Sequence, residues 1–344
     1  MKVLLISPKK ATPIGGIAVW TEHYLSTCKR YGLECTLINT EKGTEKSFAG
    51  WSEIHRTRRI LSDLRQSLNK QKFDIAHLNT SCGPFGLYRD YIIARKMHKK
   101  GIPVVTHYRC DIPFWINNPL KRCTLKKLAK LSCMNFVLCE NSRSYLKHLH
   151  IDSIKVPNCI DPRVVIDNPK EIRDVLTHIC FVGRVSVLKG AKEIYELALR
   201  FPEKTFTLAG DIVPPVDTWE KPPNVQLSGR LSSDEVVQLL DQADLFLFPS
   251  HTEGFSIALV ETMARGVPCL AFNSVGANED MLADNCGITV PFKDIDAMEQ
   301  AIHELEEPKK RKQISENAIA KVNNYYTTDA VLALFKKLYE SKLQ

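Results

Sequence analysis

Long hydrophobic runs are missing from this sequence of 344 residues. Its longest apolar stretches, such as VLLI near the start and FVG at 181–183, fall far short of the about 18 residues that a membrane-spanning helix needs. The N-terminus MKVLLISPKK has too short an apolar run for a signal peptide and is better interpreted as a buried first strand. These absences exclude a membrane-spanning protein and predict a cytoplasmic one.

Closely spaced cysteine pairs are also missing. The 11 cysteines are odd in number, none forms a Cys-x-x-Cys motif, and several lie inside apolar runs such as HICFV and VPCLAF. This usage is typical of reduced, buried cysteines that pack as small hydrophobic residues. It argues against a disulfide or metal-binding framework.

The chain has enough mass for two domain cores of about 150 residues each, and its two halves differ in charge. Residues 1–170 carry 29 Lys and Arg against 13 Asp and Glu, whereas residues 171–344 carry 18 against 26, which gives +16 and −8. The N-terminal excess indicates an anionic partner for that half. No basic strand interleaved with aromatic residues supports nucleic acid as this partner.

Short runs rich in Val, Ile and Leu alternate with segments of helical period, which predicts βαβ units and parallel sheets. The predicted strands are KVLLIS, CTLINT, FDIAHLN, IPVVTH and MNFVLC, then HICFVG, FTLAG, NVQLSG, LFLFPS and PCLAFN. Prolines interrupt both patterns in VPNCIDPRVVIDNPKEIRD. The sequence therefore predicts an α/β protein with an N-terminal domain at 1–165, a second domain at 166–326, and an amphipathic closing helix at 327–344 that packs back on the first domain.

Ligands of parallel α/β sheets lie beyond the carboxyl ends of the strands, so residues that follow strands are the binding candidates. Gly15-Gly16 follows the first strand and leads into a helix, a pattern that suits an anion but also occurs in turns without a ligand. Gly183-Arg184 follows the first strand of the second half, and Lys189 precedes the next helix. Two such cations suit a diphosphate; the alternative is a pair of solvated surface residues.

The most specific segment is PSHTEGFSIALVETMARGVPCLAF, in which a predicted strand ends and a helix begins near Ser256. Glu253 precedes this helix and Glu261 lies inside it, about two turns away. Carboxylates accept hydrogen bonds from sugar hydroxyls, and the first N–H groups of a helix bind phosphate. Two glutamates at this spacing are ordinary surface residues in most helices, so the loop around them carries the interpretation.

Together these motifs resemble the family-4 retaining glycosyltransferases of the GT-B fold, in which two Rossmann-like domains face each other across a cleft. The matching pieces occur in the family's order over essentially the whole chain: Gly15-Gly16, His107 after IPVVT, Ser142 after NFVLC, VPNCID, FVGR with Lys189-Gly190, LAGD, LSGRLSSDEV, and the segment with the Glu-x7-Glu pattern. Two positions depart from the family pattern. Cys159 replaces the usual Gly of PNGxD, and Ser256 stands where Gly is also common.

The resemblance implies roles for individual residues. Arg184 and Lys189 would bind the donor diphosphate, Glu253 the donor sugar and Glu261 the ribose. His107 would lie beside the reacting sugar, although in a generic sequence it would be a structural histidine at a strand end. The other expected donor-binding residues are Gly15, Gly16, Gly183, Gly229, Arg230, Leu231, Gly254, Phe255, Ser256, Ile257 and Ala258.

The expected mechanism follows from the same resemblance. No acid in the matched motifs acts as a covalent nucleophile in the family, so front-face attack is expected, with the departing diphosphate stabilised by cations and helix N–H groups. Asp294-Ile295-Asp296 looks like an Asp-x-Asp metal motif but precedes a helical segment, which predicts a helix N-cap at Asp294. We expect no metal and no cofactor; a UDP- or GDP-linked sugar is the substrate.

Three functions remain open at this stage. The first is a glycosyltransferase that acts on a glycan or lipid-linked acceptor in cell-surface polysaccharide or glycolipid synthesis. The second is a nucleotide-sugar epimerase of the same architecture, which would need further acids around the sugar. The third is an inactive carbohydrate-binding scaffold, which the presence of Arg184, Lys189 and Glu253 disfavours.

A basic segment in the N-terminal half suggests contact with a membrane surface. Residues 116–133 place Leu120, Cys123 or Thr124, Leu128 and Leu131 on one side of a helix, with five basic residues around it. Such a helix lies on anionic lipid, and the alternative is a core-packed helix with a solvated basic face. We expect peripheral association with the cytoplasmic face of a membrane.

Overall fold

The computed structural model describes residues 1–9, 16–41, 49–83, 85–166 and 171–343. It divides into two compact units. Unit 1 comprises Met1–Cys159 and the segment that begins at Thr328, and unit 2 comprises Ile160–Thr327. The predicted domain boundary at 165 lies six residues after this division.

Unit 1 is built around a six-stranded parallel sheet with strand order β2-β1-β3-β4-β5-β6. Its strands are β1 (Lys2–Ser7), β2 (Glu34–Asn39), β3 (Ile75–Thr80), β4 (Val104–Tyr108), β5 (Met134–Val137) and β6 (Ile154–Lys155). Its helices are α1 (Gly16–Thr27), α2 (Ala49–Lys70), α3 (Gly86–Lys99), α4 (Ile112–Trp115), α5 (Pro119–Leu131), α6 (Glu140–His148) and the last helix, α13 (Thr328–Leu343).

The sheet of unit 1 is covered on both faces. Leu4 and Ile6 of β1 pack with α2, α3 and α5, whereas Val3 and Leu5 pack with α1 and α13. Successive side chains of a strand point to opposite faces, so this strand is apolar at every interior position. The closing helix therefore completes the core of unit 1.

Unit 2 repeats the architecture with the strand order β12-β11-β10-β7-β8-β9, and its registered pairs are all parallel. Its strands are β7 (His178–Val182), β8 (Thr205–Ala209), β9 (Val225–Gly229), β10 (Leu245–Phe248), β11 (Cys269–Phe272) and β12 (Ile288–Val290). Its helices are α7 (Ala191–Arg200), α8 (Ser233–Gln242), α9 (Ile257–Ala264), α10 (Asn278–Leu282), α11 (Ile295–Glu304) and α12 (Pro308–Tyr325).

The structure confirms the predicted α/β class and all ten predicted strands, and it adds the short edge strands β6 and β12. The cysteines are all free thiols, and most are buried. Within the described ranges, no helix has both the length and the apolar character of a membrane span.

Helix α5 uses its apolar side inside unit 1. Thr124 and Leu128 are buried, and Leu131 packs against the core, whereas Leu120 and Cys123 of the residues expected on the apolar side are exposed. This corrects the expectation that segment 116–133 lays an apolar face on lipid. The alternative of a core-packed helix with a solvated basic face describes α5 better.

Candidate active site

The carboxyl edge of the unit 2 sheet brings glycine backbones close together. Gly183 follows β7, and Gly210 follows β8 with a φ of +142°. A Cβ on Gly210 would lie 1.9 Å from the carbonyl oxygen of Gly183. Only glycine fits here, and the exposed side chain of Arg184 follows directly.

Lys189 and Glu253 meet at this edge. Lys189 ends a 3-10 turn after β7, and Glu253 lies in the loop after β10. The Lys189 ammonium donates a hydrogen bond to Glu253 Oε1, and the fully buried Ser250 hydroxyl donates to the same oxygen at 3.2 Å. The side chains of Lys189 and Glu253 are 19% and 14% exposed. The sequence analysis assigned both residues to the donor, and the structure shows that their side chains are in contact.

The loop that carries Glu253 is fixed to the start of α7. The His251 N–H donates to the Leu188 carbonyl at 2.9 Å, and His251 Nε2 lies 2.8 Å from the buried Glu193 carboxylate. A Cβ on Gly190 would lie 2.2 Å from the Pro249 carbonyl oxygen. Sequence reasoning missed Ser250, His251 and Glu193 as parts of the site. The only signal was their position beside a strand end or in the first helical turn.

Helix α9 begins where the sequence predicted. Ser256 is the N-cap, and its side chain accepts a hydrogen bond from the Leu259 N–H at 3.2 Å. Four backbone N–H groups around this cap have no acceptor among the described residues: those of Phe255, Ser256, Ile257 and Ala258. Together with Gly254, which leads into the cap, they offer donors for an anion.

Glu261 lies on α9. Its carboxylate makes no hydrogen bond or ion pair with another residue in the described part of the chain. Burial raises the pKa of its carboxyl to about 7. A carboxyl group with no protein partner is available to a ligand hydroxyl, which is consistent with the role that the resemblance implies.

The residues expected near the base lie at the end of β9. Gly229 has a φ of +66°, and its carbonyl accepts a hydrogen bond from the Gly210 N–H at 2.7 Å. Arg230 is exposed and lies 3.4 Å from Asp211, and Leu231 is half-buried. The backbone at Gly229 is thus tied to the same glycine edge as Gly183.

Asp294 is the N-cap of α11, as predicted, because its carboxylate accepts a hydrogen bond from the Ala297 N–H at 2.9 Å. Asp296 forms an ion pair with Arg200, with 2.6 Å between Oδ1 and Nη1, and does not share a metal site with Asp294. In the described ranges, no group of three or more His, Cys, Asp or Glu side chains is arranged to hold a metal.

The candidates in unit 1 have different outcomes. Gly16 is exposed and begins α1, whereas Gly15 lies outside the described residues. His107 is fully buried on β4 among the rings of Trp20, Phe136 and Phe335. The sequence analysis placed His107 beside the reacting sugar, whereas its full burial corresponds to the alternative of a structural histidine at a strand end.

A buried polar network that the sequence did not reveal surrounds His107. Arg109 Nη1 lies 3.2 Å from His107 Nε2, and Arg109 Nη2 donates to Asn158 at 2.7 Å. The guanidinium also stacks over Trp20, 4.5 Å from the ring centroid. Burial, assisted by Arg109, lowers the pKa of His77 to about 3 and that of His107 well below its usual value, so both are neutral.

These features define a class of protein. Two parallel α/β units, together with a sheet edge that combines a lysine–glutamate pair, close glycine backbones and a helix N-terminus, define an α/β protein with a site suited to a phosphate-containing ligand. The glycosyl transferases group 1 model matches residues 166–321. The second half of the chain therefore carries a glycosyl transferases group 1 domain, and the whole chain has the two-unit α/β architecture of GT-B glycosyltransferases.

Individual proteins share this similarity. The chain is 26% identical over 313 residues to the Escherichia coli UDP-Gal:alpha-D-GlcNAc-diphosphoundecaprenol alpha-1,3-galactosyltransferase, which covers 81% of this chain and 78% of the relative. A sucrose-phosphate synthase from Thermosynechococcus elongatus superposes with a TM-score of 0.80 at 14% identity and covers 99% of this chain and 98% of its own. Anabaena Alr3699/HepE in complex with UDP-glucose superposes at 0.74 with 16% identity and covers 99% and 100%.

Proposed function

We propose that this protein is a retaining, metal-independent glycosyltransferase, of the family-4 type. It transfers a sugar from a nucleoside diphosphate to a lipid-linked or glycan acceptor in cell-surface polysaccharide or glycolipid synthesis. The observation that carries the proposal is the Lys189–Glu253–Ser250 cluster beside the free N-terminus of α9.

The proposed donor pose assigns each group one task. Arg184, Lys189 and the N–H groups at the start of α9 bind the diphosphate and stabilise the negative charge that grows on it during bond cleavage. Glu253 accepts hydrogen bonds from hydroxyls of the donor sugar, and Glu261 accepts from the ribose. Gly16 contributes backbone N–H to the phosphates, and Gly229 to Leu231 contact the base.

The engagement of Glu253 supports front-face transfer. One oxygen of this carboxylate already accepts hydrogen bonds from Lys189 and Ser250. Such bonds fix the direction of the carboxylate and occupy one of its oxygens, which suits the positioning of hydroxyls better than covalent attack on the anomeric carbon. The leaving diphosphate then takes the proton of the acceptor hydroxyl. His107 has no step in this scheme because its side chain is fully buried within unit 1.

The acceptor and the location are proposed from similarity and charge. The Escherichia coli relative is named for a diphosphoundecaprenol acceptor, and the N-terminal half of this chain carries +16. A lipid-linked acceptor in a membrane would explain both the acceptor of this relative and the positive charge of the N-terminal half. We therefore propose a peripheral location on a membrane.

The test is incubation with a panel of UDP- and GDP-linked sugars, with and without lipid-linked and glycan acceptors. Acceptor-dependent release of nucleoside diphosphate, with the donor anomeric configuration kept in the product by NMR, is the expected result. A new nucleotide sugar would establish the epimerase instead, and binding of nucleotide sugars without turnover would establish the scaffold. An inverted product would overturn the retaining mechanism.

A further inference from the structure

We propose that the outer faces of α2 and α3 in unit 1 dock on a bilayer that contains anionic phospholipid. This inference rests on the peripheral location proposed above and assigns it to a particular surface, which we call the α2–α3 face. The surface is distinct from helix α5, whose apolar side lies in the core.

A groove of about 470 Å³ lies between the C-terminal halves of α2 and α3. Leu61 and Leu68 lie in its lining, and both also pack against the core of unit 1. Around them stand Arg65, Lys96, Lys99 and Lys100. An apolar floor with a cationic rim matches the two parts of an anionic phospholipid, its acyl chains and its phosphate.

The basic side chains around the groove are not neutralised by ion pairs within the part of the chain that the structure describes. No described carboxylate pairs with Arg65, Lys96, Lys99 or Lys100. Helices α2 and α3 carry nine Lys and Arg against three Asp and Glu. Charge complementarity therefore favours an anionic surface as the partner.

The three acids of the two helices are directed elsewhere. Glu53 is buried and paired with Arg56 at 3.0 Å, and Asp90 is buried and paired with Arg89 at 3.0 Å. Asp63 is two positions from both Leu61 and Arg65, a spacing that places it on a different side of the helix. Among the described residues, no ion pair joins these acids to the basic side chains of the groove rim.

The N-terminal halves of the same helices expose large apolar side chains. The exposed residues are Trp51 (63%) and Ile54 (46%) on α2, Phe85 (57%) just before α3, and Tyr88 (37%) and Ile92 (40%) on α3. Arg89 Nη1 lies 3.9 Å from Glu53 Oε2, so these parts of the two helices are neighbours. Exposed aromatic residues next to basic residues are typical of surfaces that insert into the headgroup region of a bilayer.

The experiment compares two charge-matched triple variants of the full chain. One carries Arg65→Gln, Lys96→Gln and Lys99→Gln on the α2–α3 face, and the other carries Lys126→Gln, Lys127→Gln and Lys130→Gln on α5. All six side chains are exposed. Binding is measured by co-sedimentation with vesicles of phosphatidylcholine alone and with added phosphatidylglycerol. The expected result is a loss of about 100-fold in affinity for anionic vesicles in the first variant, from three charges near the surface, and little change in the second.

A second readout locates the contact. Quenching of tryptophan fluorescence by brominated lipid should be largely lost in Trp51→Phe and kept in Trp115→Phe. Equal loss of binding in both triple variants, or quenching that does not depend on Trp51, would overturn the assignment of the α2–α3 face. Binding to heparin but not to anionic vesicles would assign the face to an acidic polymer and would also overturn it.

Nucleoside diphosphate release, measured in the same variants with a water-soluble acceptor, separates this inference from the proposed function. Transfer without vesicle binding removes membrane docking and leaves the enzyme assignment standing. Vesicle binding that survives in the first triple variant removes only the α2–α3 face. Absence of any transfer in the unaltered protein removes the enzyme assignment, whatever the vesicles show.

Discussion

At the scale of single residues, the candidate site depends on whether the Lys189 ammonium binds the Glu253 carboxylate or a diphosphate. Lys189 neutralises Glu253 in the absence of a ligand, because its ammonium donates to the carboxylate. A diphosphate offers the same ammonium a stronger partner, since it carries more charge and presents more acceptor oxygens. Ser250 donates to the same oxygen, Glu253 Oε1, so we expect the carboxylate to stay oriented for the donor sugar when the ammonium binds the diphosphate.

Lys189→Ala tests this sharing. If the ammonium stabilises charge that grows on the leaving diphosphate, its loss should raise the barrier to transfer by about 2 to 4 kcal/mol and weaken nucleotide binding less. Lys192→Ala, an exposed lysine on α7, is the control and should leave both unchanged. Steady-state kinetics and calorimetric UDP or GDP binding measure the two effects. Unchanged turnover with weaker binding would show that Lys189 serves binding alone.

Glu261 gives a prediction about pH. Its pKa in the folded protein is about 7, above the ordinary value of 4.5, because burial disfavours the carboxylate. The folded state therefore binds the proton more tightly than the unfolded state, and stability should fall as the pH rises from about 4.5 to 7. The contribution is at most about 3 kcal/mol in the free energy of unfolding.

Glu261→Gln should remove this dependence, since the amide does not titrate. Urea unfolding at pH values from 5 to 8 measures it, with Glu279→Gln at an exposed acid as the control. A variant that keeps the full slope would locate the titration at another group.

The residues of the site were not equally visible in the sequence. Lys189, Glu253 and Glu261 were found because their motifs are specific, and the N-cap at Asp294 because capping is local chemistry. Arg109 and His77 were missed because their network joins β3, β4 and the segment after β6, and such contacts depend on tertiary packing. The burial of His107 was not visible for the same reason, since its neighbours come from α1, β5 and α13.

At the scale of elements, strands were predictable where the apolar run is long enough to be seen. Ten runs of Val, Ile and Leu predicted ten strands, eight inside their sheets and two, β2 and β9, at sheet edges but with six and five residues. The two missed strands, β6 and β12, have two and three residues and lie at sheet edges. An edge strand of this length has one neighbour and no long apolar run, so its pattern does not stand out.

Gly190, which precedes α7, lies against Pro249, which follows β10, and this close contact gives a testable prediction. Gly190 has a φ of +81°, and a Cβ there would overlap the Pro249 carbonyl. Gly190→Ala should therefore displace the Lys189 turn from the Glu253 loop, lower thermal stability and weaken nucleotide binding. Gly101→Ala is the matched control, because Gly101 has a φ of +70° but open space around it. It should show only the backbone strain of about 1 kcal/mol, measured by urea unfolding.

Equal losses of stability in Gly190→Ala and Gly101→Ala would mean that the contact with Pro249 adds nothing beyond the strain. A stable Gly190→Ala protein that binds nucleotide normally would separate the turn from the donor site altogether.

The cap of α11 separates a structural acid from a metal ligand. Asn caps a helix as well as Asp, whereas Ala does not. Asp294→Asn should therefore keep stability and transfer activity, and Asp294→Ala should lower the free energy of unfolding by about 1 kcal/mol. Transfer should also survive saturating EDTA. Activity abolished by EDTA and restored by Mn²⁺ or Mg²⁺ would contradict the proposed metal independence.

At the scale of the whole molecule, unit 1 is assembled from two separated parts of the chain. Residues up to Cys159 form the sheet and most helices, and α13 returns after the whole of unit 2 to cover one face of that sheet. The periodicity of the last segment predicted an amphipathic helix, because Val331 and Phe335 share one face. Periodicity cannot identify the surface on which the helix packs, and the structure shows that this surface is the face of the unit 1 sheet that α1 also covers.

Phe335→Ala tests whether this returning helix stabilises unit 1 alone. Phe335 is fully buried and stacks on Phe136 at 5.7 Å between ring centroids, so its truncation leaves a cavity in the core of unit 1. The expected loss is about 3 to 5 kcal/mol in the free energy of unfolding of that unit. Hydrogen exchange resolved by peptides should show faster exchange in β1, β3 and β4, with β7 and β10 unchanged. Tyr325→Ala, at an aromatic residue of unit 2 that is 60% exposed, should change neither set. Equal acceleration in both units would show that they unfold as one cooperative body, which would overturn the view that the closing helix belongs to unit 1 alone.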